Sequence, residues 1–235
     1  MSLGNDVVDL ADPEARLDGL HPRFAERVFT PAEREALEAS GDRHVLHWAL
    51  WAAKESAYKA LRRVEPRTIF APRAFEVDLP GPPRGEASAA GRVRHGGHSL
   101  ALQVSLRGGA LHAMAWDLSG PLATTIRCAV GAAGSEPGAD AQGLAARGIA
   151  DALGLDPGEV RIVGRPPAAA RGERPLDLVI SLSHHGRYVA FAWAGLALSP
   201  ESPSRPATAE VRTRPDPARA RRAAKPRRLN TVAPR

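Results

Sequence analysis

The run Val45-Leu46-His47-Trp48-Ala49-Leu50-Trp51-Ala52-Ala53-Lys54-Glu55-Ser56-Ala57-Tyr58-Lys59-Ala60-Leu61-Arg62-Arg63 contains neither glycine nor proline, and its composition predicts one continuous helix. Within it Trp51, Glu55 and Lys59 recur every four residues, which aligns them in a single stripe, each one turn from the next. Glu55 and Lys59 therefore project side by side. A carboxylate next to an ammonium suits a site for a hard cation and a phosphate, because carboxylate oxygens hold the cation and the lysine offsets phosphate charge. The same spacing also reads as a surface ion pair contributing ~0.3–0.5 kcal/mol. The lysines set this helix apart. The 235-residue chain has 29 arginines and three lysines, of which two are Lys54 and Lys59. A compact ammonium approaches one oxygen from many directions, whereas a guanidinium imposes a planar fork.

Outward from this helix, the chain reads as helices followed by strands, twice. Before it come a brief strand at Asn5–Leu10 and a capping box with proline at its first helical position, Thr30-Pro31-Ala32-Glu33. After it, residues 74–118 alternate as strands, with Gly108-Gly109 as a hairpin turn. A loop at 131–139 leads to a second helix over 141–154, ended by Gly154, and to strands at 159–163, 176–183 and 188–194. The expected class is α+β with two related halves.

Three further groups stand out. Gly4-Asn5-Asp6 opens the first strand, and a strand-end aspartate after glycine reads either as a magnesium ligand or as a turn residue. Ser181-Leu182-Ser183-His184-His185-Gly186 falls where a late strand ends. Adjacent histidines on a strand point to opposite faces, so a joint metal site from His184 and His185 is not expected. Arg147 on the second helix, and Arg165 and Arg174 in the glycine- and proline-rich segments after it, are of a type that suits phosphate. There is no P-loop, dinucleotide fingerprint, Ser/His/Asp nucleophile motif or HExxH.

Composition bounds the rest. Hydrophobic residues make up 43% and charged residues 25%, ordinary for a globular chain. No apolar run approaches the ~18 residues of a membrane span, and no membrane partner is expected. The acidic N-terminus lacks the features of a secretory signal. The single cysteine, Cys128, excludes a disulfide framework and a Cys-based zinc site, and the expected location is the cytoplasm. The net charge of +6 arises in the tail. Residues 199–235 carry +7 and residues 1–198 carry −1. That tail holds seven prolines and no aromatic residue for base stacking, so disorder is expected there and nucleic-acid binding is not.

Taken together these residues resemble the 4'-phosphopantetheinyl transferase superfamily. Trp51 to Lys59 fits its WxxKExxxK pattern in full, Gly4-Asn5-Asp6 fits GxD, Phe29 to Glu33 looks like FxxxE, and Ser181 to His184 resembles the (N/S)xSH strand. The segment Arg147 to Arg161 looks like the coenzyme A-binding helix and following strand of longer members. The resemblance covers roughly residues 1–195. Long members place SxSH before GxDxE, whereas this chain begins with GxD and ends with SxSH, as a circularly permuted two-half form would. Residues 1–118 would then form a half carrying the magnesium site, 119–198 a half carrying the coenzyme A-binding SLSH motif, and 199–235 the tail. The second acid of the long members is absent, since Val8 stands there and Asp9 follows, as in the short holo-acyl-carrier-protein synthases.

The resemblance implies a fold of two pseudo-twofold-related halves with the active site between them. It implies transfer of the phosphopantetheine arm of coenzyme A to a serine of an acyl or peptidyl carrier protein, with release of 3',5'-ADP. Mg²⁺ would be held by Asp6 and Glu55. Lys59 would stabilise the leaving phosphate, and Lys54 would orient Glu55 or meet a phosphate. Glu55, or a magnesium-bound water beside it, would be the base. His184 and Ser183 would bind coenzyme A, with Arg147 at the 3'-phosphate and Arg165 or Arg174 at the adenosine end. A monomeric pseudo-dimer is expected. The alternative is a non-catalytic homologue that binds coenzyme A or a carrier protein.

Overall fold

The structure is a computed structural model and describes residues 1–85, 87–117 and 124–196. The tail expected at 199–235, and the junction expected at 118–119, lie outside the described residues.

The long helix forms as its sequence predicts. Asp42 caps it by accepting a hydrogen bond from the Val45 amide, and α3 runs Arg43–Val64. Two shorter helices precede it, α1 (Phe24–Val28) and α2 (Pro31–Ala39). The Thr30–Glu33 capping box closes reciprocally at the start of α2. One face of α3 is rich in alanine, with Ala49, Ala52, Ala53, Ala57 and Ala60 all fully buried. That smooth face lies on an antiparallel five-stranded sheet of order β1-β5-β4-β3-β2, formed by Leu3–Asp9, Glu76–Asp78, Ala89–His95, His98–Arg107 and Ala110–Asp117 as β1 to β5 in chain order. Leu61, Phe75, Leu100, Leu102 and Leu111 fill the layer between them.

The remaining described residues repeat the plan. β6 (Thr124–Ala132), α4 (Pro137–Leu153), β10 (Leu178–His185) and β11 (Tyr188–Leu196) build a sheet of order β10-β11-β6, and α4 covers one face of it. Gly154 ends α4 in the left-handed conformation, as its position in the sequence predicts. Between these elements, β7 (Val160–Val163), β8 (Ala168–Arg171) and β9 (Arg174–Pro175) form a small separate sheet. Of these three, only β7 has a clear sequence pattern. The segment 131–139, expected as loop, gives its first two residues to β6 and its last three to α4.

The two larger sheets face each other. Period-2 alternation sends Val8 toward α3 and sends Leu3 and Val7 the other way. Leu3 and Val7 pack, with Ala110 and Met114, against Val130, Ala190, Ala192 and Ala194 of the second sheet. The layers are thus α3, first sheet, second sheet, α4, and the class is α+β. Strand β1 is an edge of its sheet and β10 an edge of the other. Asn5 meets Ser181 and Ser183, and Asp9 meets His185, so these two edges run side by side in the same direction.

Candidate active site

Strand β1 lies directly on α3, and Gly4 permits it. A Cβ at Gly4 would collide with the carbonyl oxygen of Ser56 and would stand 2.7 Å from the Ala60 nitrogen. This close approach brings Asp6 to the stripe on α3. The Lys59 ammonium donates to Asp6 Oδ1 at 2.7 Å and to the Asn5 carbonyl at 3.1 Å. Glu55, one turn earlier, is half-buried. Burial raises its carboxyl above the usual carboxylate range, the nearby Asp6 charge raises it further, and Lys59 opposes both. Glu55 is therefore close enough to sense the charge of a residue 49 positions earlier in the sequence. Two carboxylates and one ammonium converge on a partly open surface.

Lys54 does not join them. Its ammonium is wholly enclosed and sits 2.8 Å from the Glu33 carboxylate, with the Pro72 and Phe75 carbonyls at 3.1 and 2.5 Å. Glu33 also accepts from the Thr30 and Val77 amides. Burial lowers the Lys54 pKa and the Glu33 charge opposes this. The expectation that Lys54 orients Glu55 or meets a phosphate is corrected on this geometry, since every partner named here belongs to the α2–β2 side of the core. A lysine one position from the Glu55 stripe points about 100° away from it around the helix.

The second sheet contributes through β10. Asn5 donates its backbone N–H to Ser181 Oγ at 2.9 Å and its Nδ2 to Ser183 Oγ at 3.0 Å, and Nδ2 also lies 3.1 Å from Nε2 of His112. All four residues are buried, and burial, with the Lys59 charge adding to it, pushes the His112 imidazole down to about 4. Ser183, expected to bind coenzyme A, thus has its hydroxyl enclosed between the sheets. His184 is exposed at the end of β10. Arg165 is exposed in a loop whose Pro167 carbonyl accepts from Arg63, one turn beyond Lys59. Arg147 and Arg174 are exposed, and among the described residues no hydrogen bond or ion pair links either to the Asp6–Glu55–Lys59 cluster. The repeat of the fold is not a repeat of this chemistry. Matching the hairpin turns sets Gln103-Val104-Ser105-Leu106 in the place of Ser181–His184, and Ala129 in the place of Asp6.

Asp9 closes the seam. Its buried carboxylate accepts from the Arg187 amide and guanidinium at 2.7–3.1 Å, and its own amide donates to His185 Nδ1. Gly186, at φ +52°, allows the turn to seat here, since a Cβ would stand 2.8 Å from Asp9. The Arg187 hydrogen bonds hold the Asp9 carboxyl at about 2 against an ordinary 3.8. A depressed carboxyl pKa contributes stability that is complete above the unfolded value and is lost as pH falls toward the folded one. Arg187→Ala is accordingly expected to lower Tm near pH 7 and to make little difference near pH 2. Thermal melts of both proteins across that range test this, and an equal loss at both ends would contradict it.

The donor set fits a hard divalent cation in chemistry. Among the described residues no three of His, Cys, Asp and Glu are grouped to hold a metal. A cation at Asp6 and Glu55 would have two protein carboxylates and would draw its other ligands from phosphate and water, which is how magnesium is usually bound.

A model of the 4'-phosphopantetheinyl transferase superfamily matches residues 2–107, a span that holds Asp6, Glu55 and Lys59. The holo-[acyl-carrier-protein] synthase of Methylobacterium sp. (strain 4-46) is 32% identical over 112 residues, covering 45% of this chain and 83% of that protein. The same-named protein of Anaeromyxobacter dehalogenans (strain 2CP-1) is 46% identical over 68 residues, 26% of this chain and 50% of its own length. The chain thus spans about half the length of that relative. The crystal structure of Thermotoga maritima holo-[acyl-carrier-protein] synthase aligns at 16% identity and a TM-score of 0.34, over 54% of this chain and 68% of that one.

Proposed function

The chain belongs to the 4'-phosphopantetheinyl transferase superfamily, and on that premise we propose that it moves the phosphopantetheine arm of coenzyme A onto a serine of an acyl or peptidyl carrier protein. The observation that carries this reading is the meeting of Asp6, Glu55 and Lys59 at one place on the surface. A diphosphate substrate needs its charge offset, and a hydroxyl nucleophile needs a proton acceptor. The intact cluster favours a transferase over a non-catalytic binding homologue.

In this mechanism the carrier serine oxygen forms a bond to the β-phosphorus of coenzyme A. The bond from that phosphorus to the bridging oxygen breaks, and 3',5'-ADP leaves. Glu55 takes the serine proton, and its burial makes it a better acceptor than an exposed carboxylate. Lys59 meets the charge that grows on the departing phosphate. Asp6 holds the Lys59 ammonium in place and, with Glu55, offers the oxygens for magnesium. Bound there, magnesium would neutralise the diphosphate and align it for attack. His184 reaches from the second sheet toward a coenzyme A phosphate, and Arg165 serves the adenosine end.

His184→Ala is expected to raise KM for coenzyme A about tenfold while kcat stays within about twofold, because a charge-assisted hydrogen bond away from the reacting atoms is lost. A fall in kcat at unchanged KM would contradict that role. The reading as a whole is tested by mass spectrometry of apo carrier proteins of fatty-acid, polyketide and non-ribosomal-peptide type, incubated with the enzyme, coenzyme A and magnesium. One of them is expected to gain the phosphopantetheine mass.

A further inference from the structure

Asn5 stands where an apolar residue would pack. Its neighbours on the same face of β1 are Leu3 and Val7, and the space between the sheets is otherwise lined by Ala110, Met114, Val130 and the alanines of β11. Asn5 itself is fully buried. Its Oδ1 has no hydrogen-bond partner among the described residues, which leaves part of the cost of burying the amide uncompensated. What the amide adds is direction. Its Nδ2 joins Ser183 in the second sheet to His112 in the first, beside the contacts of the backbone, whose N–H at this position donates to Ser181 and whose carbonyl accepts from Lys59.

The residues that flank this bond decide its meaning. Asp6 follows Asn5, and His184 follows Ser183. Asp6 bears the carboxylate that holds Lys59, and His184 is the exposed group on the opposite edge strand. One hydrogen bond, Asn5 Nδ2 to Ser183 Oγ, thus lies one residue from each side of the site and, with the Asn5–Ser181 and Asp9–His185 bonds, joins the two edge strands.

We propose that Asn5 is a positioning residue, which through Ser181, Ser183 and His112 locks strand β1 against β10 and so fixes Asp6 and Lys59 relative to His184. Ser181 and Ser183 are its anchors. The kinetic part of this inference rests on the transfer reading, while the structural part does not.

Asn5→Leu keeps the number of side-chain heavy atoms and removes every polar side-chain contact. It is expected to lower kcat about thirtyfold with KM for coenzyme A within twofold. Ser183→Ala is expected to lower kcat about fivefold, Ser183→Thr to restore at least half of that loss, and the double variant Asn5→Leu/Ser183→Ala to be no slower than Asn5→Leu alone. Hydrogen exchange followed by NMR supplies the second readout. The amides of Asn5 and Asp6 should exchange about tenfold faster in Ser181→Ala and in Ser183→Ala, with the amides of α3 unchanged. If Asn5→Leu keeps kcat within twofold, whatever its Tm, the residue merely packs and the inference is overturned. A raised KM at unchanged kcat in Ser183→Ala would instead make that serine a coenzyme A contact. Unaltered exchange in both serine variants overturns the lock independently of activity. A wild-type chain that modifies no carrier protein refutes the transfer reading, and the exchange measurement then judges the lock by itself.

Discussion

Glu55→Gln is expected to reduce transfer about a thousandfold while leaving Tm unchanged or slightly raised. The amide keeps the shape of the side chain but loses the negative charge, the hard oxygen donor and the capacity to take a proton. Removal of a proton acceptor or a key electrostatic group each costs about 10²–10³-fold. The stability sign is separate. Glu55 titrates above the ordinary carboxylate range because burial and Asp6 disfavour its charge. Folding therefore works against the ionised form, and a neutral replacement relieves that penalty near pH 7. Asp6→Ala should lose activity to a similar degree, since it removes the carboxylate that holds Lys59 at 2.7 Å. Single-turnover transfer with labelled coenzyme A, alongside thermal melts, measures both. A rate within tenfold of wild type in either variant would break the assignment of the site.

Lys54→Met is the complementary case, where stability should suffer and chemistry should not. The substitution leaves the Glu33 carboxylate buried without its 2.8 Å partner and empties the position facing the Pro72 and Phe75 carbonyls. Breaking one side of a buried pair costs about 3–5 kcal/mol, which corresponds to a fall in Tm of roughly 10 °C or more. Glu33→Gln in the same chain should recover much of the loss, because no uncompensated charge then remains. The activity per folded molecule should stay within a fewfold of wild type. A stable Lys54→Met protein with abolished transfer would restore this lysine to the phosphate site.

The difference between Lys54 and Lys59 shows what a linear reading can carry. Periodicity places Lys59 on the stripe with Glu55, and the structure agrees. Periodicity also places Lys54 off that stripe, yet its being one of only three lysines draws it toward the chemistry. Its partner Glu33 is 21 residues away in a different helix, and no spacing rule links them. Glu33 stands out in the sequence as the third helical residue of a capping box and as the acid of the FxxxE stretch, and neither signal points to Lys54, which it holds in the folded chain. Asn5 and His112 left weaker traces still. Each is a polar residue interrupting the apolar alternation of a buried strand, which is a signal for a buried polar contact without any indication of the partner.

The helix, the strand opening at Gly4, the α+β class and the placing of Glu55 and Lys59 on one stripe follow from the chain alone, because each depends on residues within a few positions of one another. Bringing Asp6 to that helix, turning Lys54 into the core and setting the two sheets in register through Asn5, Ser181 and Ser183 required the folded molecule. Those contacts join residues 21 to 178 positions apart. They depend on the close approach that Gly4 allows and on which faces of two edge strands the packing turns toward each other.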